Sequence, residues 1–285
     1  FAIPLEHSSR DPALLALDRV TMHDWLRAEG FASEAVHWVA DYACRDDYGC
    51  AHRQVSAWAG IHYFASRHGF HAPGDDEGAE REGVLTWPEG NGWLARRLAA
   101  RGAGQVRCGT GVLRIAETRH GVEVDALDHA SGRIERWQAD RCIVALPAFV
   151  AARVVQPAPA FVQEAARRLQ WAPWLVANLR IGAPLALLAG PTVLSYYQAL
   201  GDLPDGRAQL AERPWTHWRD AILAALAVPH PDLVGRATRM QVTRYGHAMS
   251  IPVPGTLGFL SQIGPQRPPG KRWQLSNGER VPLPP

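Results

Sequence analysis

Histidine is the most abundant chemically versatile side chain here: there are twelve, and His52, His62, His68 and His71 follow one another closely. Imidazoles bind transition metals, and two histidines four apart on a helix share one face. His62 and His68 are six apart, with no H-E-x-x-H and no C-x-x-C beside them, so the spacing predicts no metal site. Asp46-Asp47 are adjacent carboxylates in what reads as a turn, where they point apart into solvent and do no paired acid–base work. Ser195 lies in a strand-like stretch outside any G-x-S-x-G turn, so no serine nucleophile is expected. Cys44 and Cys50 bracket CRDDYGC; with only four cysteines in the chain, two reduced thiols are expected there, a bridge requiring export. Cys108 and Cys142 read as small buried hydrophobes in strands. The single lysine is Lys271, which excludes lysine chemistry in the body of the chain. Trp171, Trp174, Tyr196, Tyr197, Trp215 and Trp218 remain, either filling a core or lining a cavity that attracts cations.

The elements that must position such residues belong to a globular chain. Its 285 residues suffice for one large or two ordinary domains, and 47% hydrophobic with 20% charged residues excludes wholesale disorder. Thirty basic against 28 acidic side chains leave a net charge of +2, which offers no footprint for nucleic acid or an anionic membrane. No apolar run approaches the ~18 residues of a membrane-spanning helix. Composition excludes these classes but names no partner. The sequence specifies no compartment; a soluble cytoplasmic chain is the default, and export stays open. No initiator Met precedes Phe1, and the sequence closes in Pro282-Leu283-Pro284-Pro285, so the expectation is an internal piece of a longer protein.

Three helices are predicted in succession. One starts at Thr21 as N-cap and stops at Gly30; one is capped by Ser33 and ends in the turn Arg45–Gly49; one runs from about Val55 to Ser66. His68–Gly83 reads as a polar loop. VLTWPEGNG is extended and turns on Pro88 and Gly90, after which WLARRLAA forms a helix stopped by Gly102. Gln105–Cys108 reads as a short strand. Val112–Glu117, Val122–Ala126 and Arg133–Gln138, with turns between them, predict an antiparallel meander. Arg141–Leu146 is continuously apolar after its first residue and predicts a strand buried on both faces, as in a parallel sheet. Helices follow near 148–155 and 159–169. Strands are predicted at Trp174–Ile181, Val193–Gln198 and Arg239–Tyr245, with a helix at Pro214–Ala227. Past Ile251, Pro and Gly are too frequent for regular structure.

TWPEGNGWLARRLAA, CGTGVLRI, GVEVDALD and ADRCIVALP, in that order, resemble the central region of the flavin-dependent amine oxidase superfamily. Within it the chain is most similar to FAD-dependent oxidoreductases of the spermidine dehydrogenase type, which also carry a stretch like RYGHAMSIPVPG. The resemblance covers most of the chain and is most specific over 84–147. It implies a mixed α/β (α+β) fold: a partial FAD-binding, Rossmann-like domain with a three-stranded antiparallel meander, plus a substrate domain of sheet and helices. The boundaries it implies are a helical lobe at 1–83, the partial FAD domain at 84–155, the substrate sheet and helices at 156–255, and an irregular tail at 256–285. It further implies that Trp87, Pro88, Gly90 and Asn91 lie near the flavin. The backbone of Val112 would offer a donor and an acceptor to adenine, and Ala145 and Pro147 would bring the chain back beside the cofactor. Trp174, Tyr196 and Tyr197 would line the substrate path.

The departures bear on activity. There is no G-x-G-x-x-G, the family's flavin-seating C-terminal segment has no counterpart, and Lys271 poorly matches the lysine many members place near the flavin. The expected function is therefore that of part of an FAD-dependent oxidoreductase taking a hydride from a C–N or C–H bond of a small substrate, amines included, and weakly active or inactive alone. The alternative is a non-catalytic remnant or interaction module with the same fold and no cofactor. The electron acceptor, catalytic residues and oligomeric state are not legible.

Overall fold

The computed structural model describes residues 1–2, 5–66, 87–182, 192–233 and 235–262. The predicted loop at 68–83, the start of the extended segment at 84–86 and the sequence beyond 262 lie outside them. The described residues form two compact units, 1–66 with 169–262, and 87–168.

In chain order, the first unit opens with helices α1 (Pro12–Leu15), α2 (Met22–Ala28), α3 (Glu34–Tyr48) and α4 (Ala57–Ala65). The second contains α5 (Gly92–Arg101), strands β1 (Thr110–Glu117), β2 (Val122–Asp128) and β3 (Ile134–Ala139), then α6 (Ala148–Val154) and α7 (Ala160–Arg168). The first resumes with β4 (Gln170–Ile181), β5 (Thr192–Ala199), α8 (Gly206–Glu212), α9 (Trp215–Ala227), β6 (Ala237–Ile251) and α10 (Thr256–Gln262).

Local signals set the helical part of the first unit. The Thr21 hydroxyl accepts from the Asp24 amide at 3.1 Å, the predicted N-cap. Ser33 occupies the N-cap of α3 without a side-chain bond. α3 continues through Asp46 and Asp47, which the sequence placed in a turn, and stops at Gly49. That glycine is required twice over. Its φ is +68°, and an added Cβ would stand 2.6 Å from the Ala172 Cβ, beneath the Trp174 ring. Met22, Leu26, Ala40, Cys44, Cys50, Val55 and Ala59 pack around Ala172 and Ile251, so this core closes only with residues from β4 and β6. Cys44 and Cys50 are both free and buried, and burial pushes their thiols up to about 12 and about 11.

The sheet of the first unit has the order β5-β4-β6, all antiparallel. Leu175, Ala177, Leu179 and Ile181 alternate along β4 and are fully buried with Leu200, Leu210, Trp218, Ile222 and Leu233. The predicted irregular stretch past Ile251 contains α10, because its N-terminus is capped from far away: the Asp18 carboxylate accepts from the Gly258 amide at 3.0 Å.

The second unit holds the meander, order β1-β2-β3. β1 starts at Thr110, and Gln105–Cys108 is not a strand; Cys108 is exposed there. A bulge between Val112 and Arg114 leaves Leu113 without a cross-strand partner. α6 closes onto β1 through a parallel bridge between Ile115 and Val155 and a bond from the Gln156 amide to the Ile115 carbonyl at 2.8 Å. The strand predicted at 141–146 does not form. A strand needs a ladder partner, and no described residue supplies one; Ile143 is instead 94% exposed, and Cys142 sits half-buried in irregular chain. The fold is thus α+β with two antiparallel sheets, and no described strand pairs in parallel beyond the single bridge.

Candidate functional site

The residues predicted for cofactor contact all lie in the second unit. Trp87 through Asn91 form one turn, closed by the Gly90 amide on the Trp87 carbonyl at 2.8 Å, with Gly90 at φ +62°. Trp87 stacks on Trp93 at 4.9 Å between centroids, and the Arg97 guanidinium lies 4.7 Å from the other ring's centroid, that of Trp93. Pro88, Gly90 and Asn91 are exposed. Gly90-Asn91-Gly92-Trp93-Leu94-Ala95 has G-x-G-x-x-A spacing at a helix start, a signal the sequence reading passed over. Asn91 makes no side-chain cap and the first turn of α5 carries no acidic residue, but the Trp93 amide is already given to the Gly90 carbonyl at 3.1 Å, and no described strand leads into the helix.

Val112 lies on β1, an edge strand, immediately before the bulge. Ala145 and Pro147 are exposed. The Pro147 carbonyl accepts from Val150 and Ala151 and so starts α6, the helix that packs on β1. The bridge from Val155 to Ile115 therefore brings the 145–147 segment and the Val112 strand into one assembly. Across the meander, Asp125 accepts from Arg136 at 2.7 Å and Arg114 at 3.0 Å. These bonds, Arg136 first, hold its carboxyl down at about 2 against a small opposing burial.

The residues predicted to line a substrate path lie in the first unit, and the sheet separates them. Trp174 pairs with Ala199, and Tyr197 with Val176, on the face of β4 opposite Leu175 and Ala177. Tyr197 is 63% exposed, and Tyr245 joins this face as the β6 partner of Trp174. Tyr196 pairs with Ala177 and packs against the apolar core, where burial raises its phenol. Adjacent strand residues cannot serve one face, so Trp174 and Tyr197 are brought together and Tyr196 is not. Ser195 donates to Asn178 Oδ1 at 2.8 Å on the outer face. A cavity of about 490 Å³ along α8, lined by Asp205, Gln209 and Arg213, touches none of the predicted residues.

No family model and no curated protein matches the chain. Solved structures do. Putrescine oxidase bound to putrescine is similar at a TM-score of 0.63 and 14% identity, over 89% of this chain and 61% of its own. Cyclohexylamine oxidase from Brevibacterium oxydans is similar at 0.60 and 18%, over 89% and 61%. The fold is shared with these amine oxidases. It is also shared with a CLA-producing fatty acid isomerase from P. acnes, at a TM-score of 0.57 and 10% identity over 87% of this chain and 59% of that one. The chain spans about three fifths of each neighbour. One fold carrying an oxidase and an isomerase leaves the reaction to be argued from the site.

Sequence reasoning missed a second polar centre in the first unit. His23, His37 and His52 come together beside Asp41. Asp41 also accepts from Arg45 Nε at 2.6 Å, and Arg45 grips Asp202 with two bonds of 2.8 and 3.0 Å. Burial disfavours the Asp41 anion, but the bonds from His52 and Arg45 outweigh it and hold the carboxyl well below the usual range. His23 comes from α2, His37, Asp41 and Arg45 recur every four residues along α3, His52 follows α3 and Asp202 follows β5; the spacing on α3 is a signal the sequence displays, but it does not bring in His23 or His52.

Proposed function

We propose that this chain forms part of an FAD-dependent oxidoreductase of amine oxidase type, acting on a C–N or C–H bond of a small substrate. The observation that carries the reading is the fold match with two amine oxidases over 89% of the chain, beside a meander series that resembles the same superfamily. FAD, when bound, supplies the two-electron acceptor for a hydride.

The chain's own residues fit part of that group. The Val112 edge offers backbone donor and acceptor to an adenine. The left-handed turn at Gly90 gives a close backbone approach without a Cβ in the way. The outer sheet face with Trp174, Tyr197 and Tyr245 supplies aromatic surface that orients a cationic or apolar substrate. The pyrophosphate is not fitted: no glycine-rich strand–turn–helix unit forms among the described residues. Helix-end and backbone donors are worth about 0.3–1 kcal/mol each, so the missing cradle weakens affinity by several tenfold steps. Its place in the reading is outside this sequence.

Amide chemical-shift mapping on the full chain tests this. Added FAD should shift Gly111–Leu113 and Gly90–Gly92 with weak, saturable affinity, and Val112→Pro, which removes one backbone donor, should abolish the first group. No shifts at saturating FAD would overturn the reading in favour of a module without cofactor. Isolation as a yellow protein with one flavin per chain would overturn the partial grip.

A further inference from the structure

The three histidines are each anchored at one ring nitrogen by a group that can only accept. His37 Nε2 lies 2.9 Å from the Phe31 carbonyl oxygen. His52 Nδ1 lies 2.8 Å from Asp41 Oδ1, and His23 Nδ1 lies 3.0 Å from Asp24 Oδ1. A carbonyl or an ionised carboxylate accepts only, so the ring hydrogen of each histidine sits on its anchored nitrogen. With the rings neutral, the other nitrogens carry lone pairs, and His37 Nδ1 and His52 Nε2 face each other at 3.2 Å. Two opposed lone pairs at that distance repel, and a cation between them turns the repulsion into binding.

The geometry points to a three-histidine site for a divalent transition-metal ion, zinc foremost, formed by His23, His37 and His52. One nitrogen of each ring lies within 4.8 Å of the others. Tetrahedral zinc with Zn–N bonds of about 2.0–2.1 Å needs nitrogens about 3.4 Å apart, close to the 3.2 Å of the facing pair, and the third ring must draw in from within 4.8 Å. The rings are 5.2–5.5 Å apart between centroids and inclined at 54–74°, so they converge edge-on rather than stack.

The supporting groups are those a metal site requires. Ligating histidines give their second nitrogen to a carboxylate or a backbone carbonyl, which fixes tautomer and ring direction. All three do so here. Asp41 is itself held by Arg45, and Arg45 by Asp202. The backbone is fixed as well: the His23 amide donates to the His52 carbonyl at 3.0 Å, and the Met22 amide to the Val55 carbonyl at 2.8 Å. His52 is buried and the His23 side chain is 12% exposed, so water competes little with the ring nitrogens for an ion held between them. Neutral nitrogen ligands favour zinc, copper, nickel or iron over magnesium and calcium, which need oxygen.

The test is titration of the purified, chelator-stripped full chain with Co²⁺, then Zn²⁺. One equivalent of Co²⁺ should produce the strong visible bands of a tetrahedral nitrogen site, and Zn²⁺ should displace it and raise Tm. His37→Gln should lower affinity at least 100-fold, and Asp41→Asn by 10–100-fold through His52. His120→Gln, an exposed control, should change nothing. Should the ligand variants fail to fold, the unaltered chain still decides: of twelve histidines, the imidazole ¹⁵N resonances of these three alone should move with Zn²⁺. Less than a tenth of an equivalent bound, or shifts spread over other histidines, would overturn the site and leave a shared proton between His37 and His52.

Discussion

The two sheets have the same strand number and the same antiparallel pairing, yet they differ in what covers them. In β5-β4-β6, one face of the central strand is sealed by α8, α9 and their neighbours, and four alternate residues of β4 reach zero exposure. In β1-β2-β3 the buried residues are Ile115, Ala116 and Ala126, with α6 on one edge, while Val112, Leu113, Ile134 and Trp137 stay exposed. Pairing alone therefore does not make a core. The first sheet is held by burial and the second by its ladder and by ion pairs centred on Asp125, with apolar surface left to cover.

That contrast can be broken by mutation. Leu179→Ala should cost about 2–5 kcal/mol in urea unfolding, against less than about 1 kcal/mol for Ile134→Ala; equal losses would contradict the contrast. Gly49→Ala combines a left-handed backbone with a clash against β4 and should cost about 1–3 kcal/mol. Thr21→Ala, which deletes one helix cap, should cost about 1 kcal/mol. Ile143→Ser should leave stability within about 0.5 kcal/mol in the same urea unfolding, because its side chain is 94% exposed. The smallest effect is electrostatic. Asp125 is held at about 2, below the ~3.9 of an unfolded aspartate. Its contribution to the meander is then complete above about pH 4 and is lost as pH falls through about 2. A carboxyl ¹³C titration with its midpoint near the ordinary value would remove the Arg114–Asp125–Arg136 cluster from the account.

Elements with local instructions were legible. Thr21 and Gly102 mark helix ends by caps that neighbouring residues decide, whereas α3 runs through the polar Arg45–Tyr48 that reads as a turn and stops only at the left-handed Gly49. The meander followed from alternation and its turns. The segment at 141–146 was misread because a continuous apolar run reports affinity for a partner strand and not that strand's presence. α10 was missed because its cap, Asp18, is 240 residues away in sequence. At the candidate sites, alternation already separates Tyr196 from Tyr197, while the histidine centre shows in sequence only as the four-residue spacing of His37, Asp41 and Arg45, and packing brings in His23 and His52.

The discontinuous make-up of the first unit has a consequence for biosynthesis. Its helices seat Met22, Cys44 and Val55 against Ala172 and Ile251. During translation at ~5–20 residues per second, those helices emerge roughly ten to forty seconds before Ile251 does. For that interval the nascent chain holds a helical cluster with an unfilled gap, while all three strands of the meander have already emerged. A chaperone bound to the emerging helices would have its work concentrated in that delay.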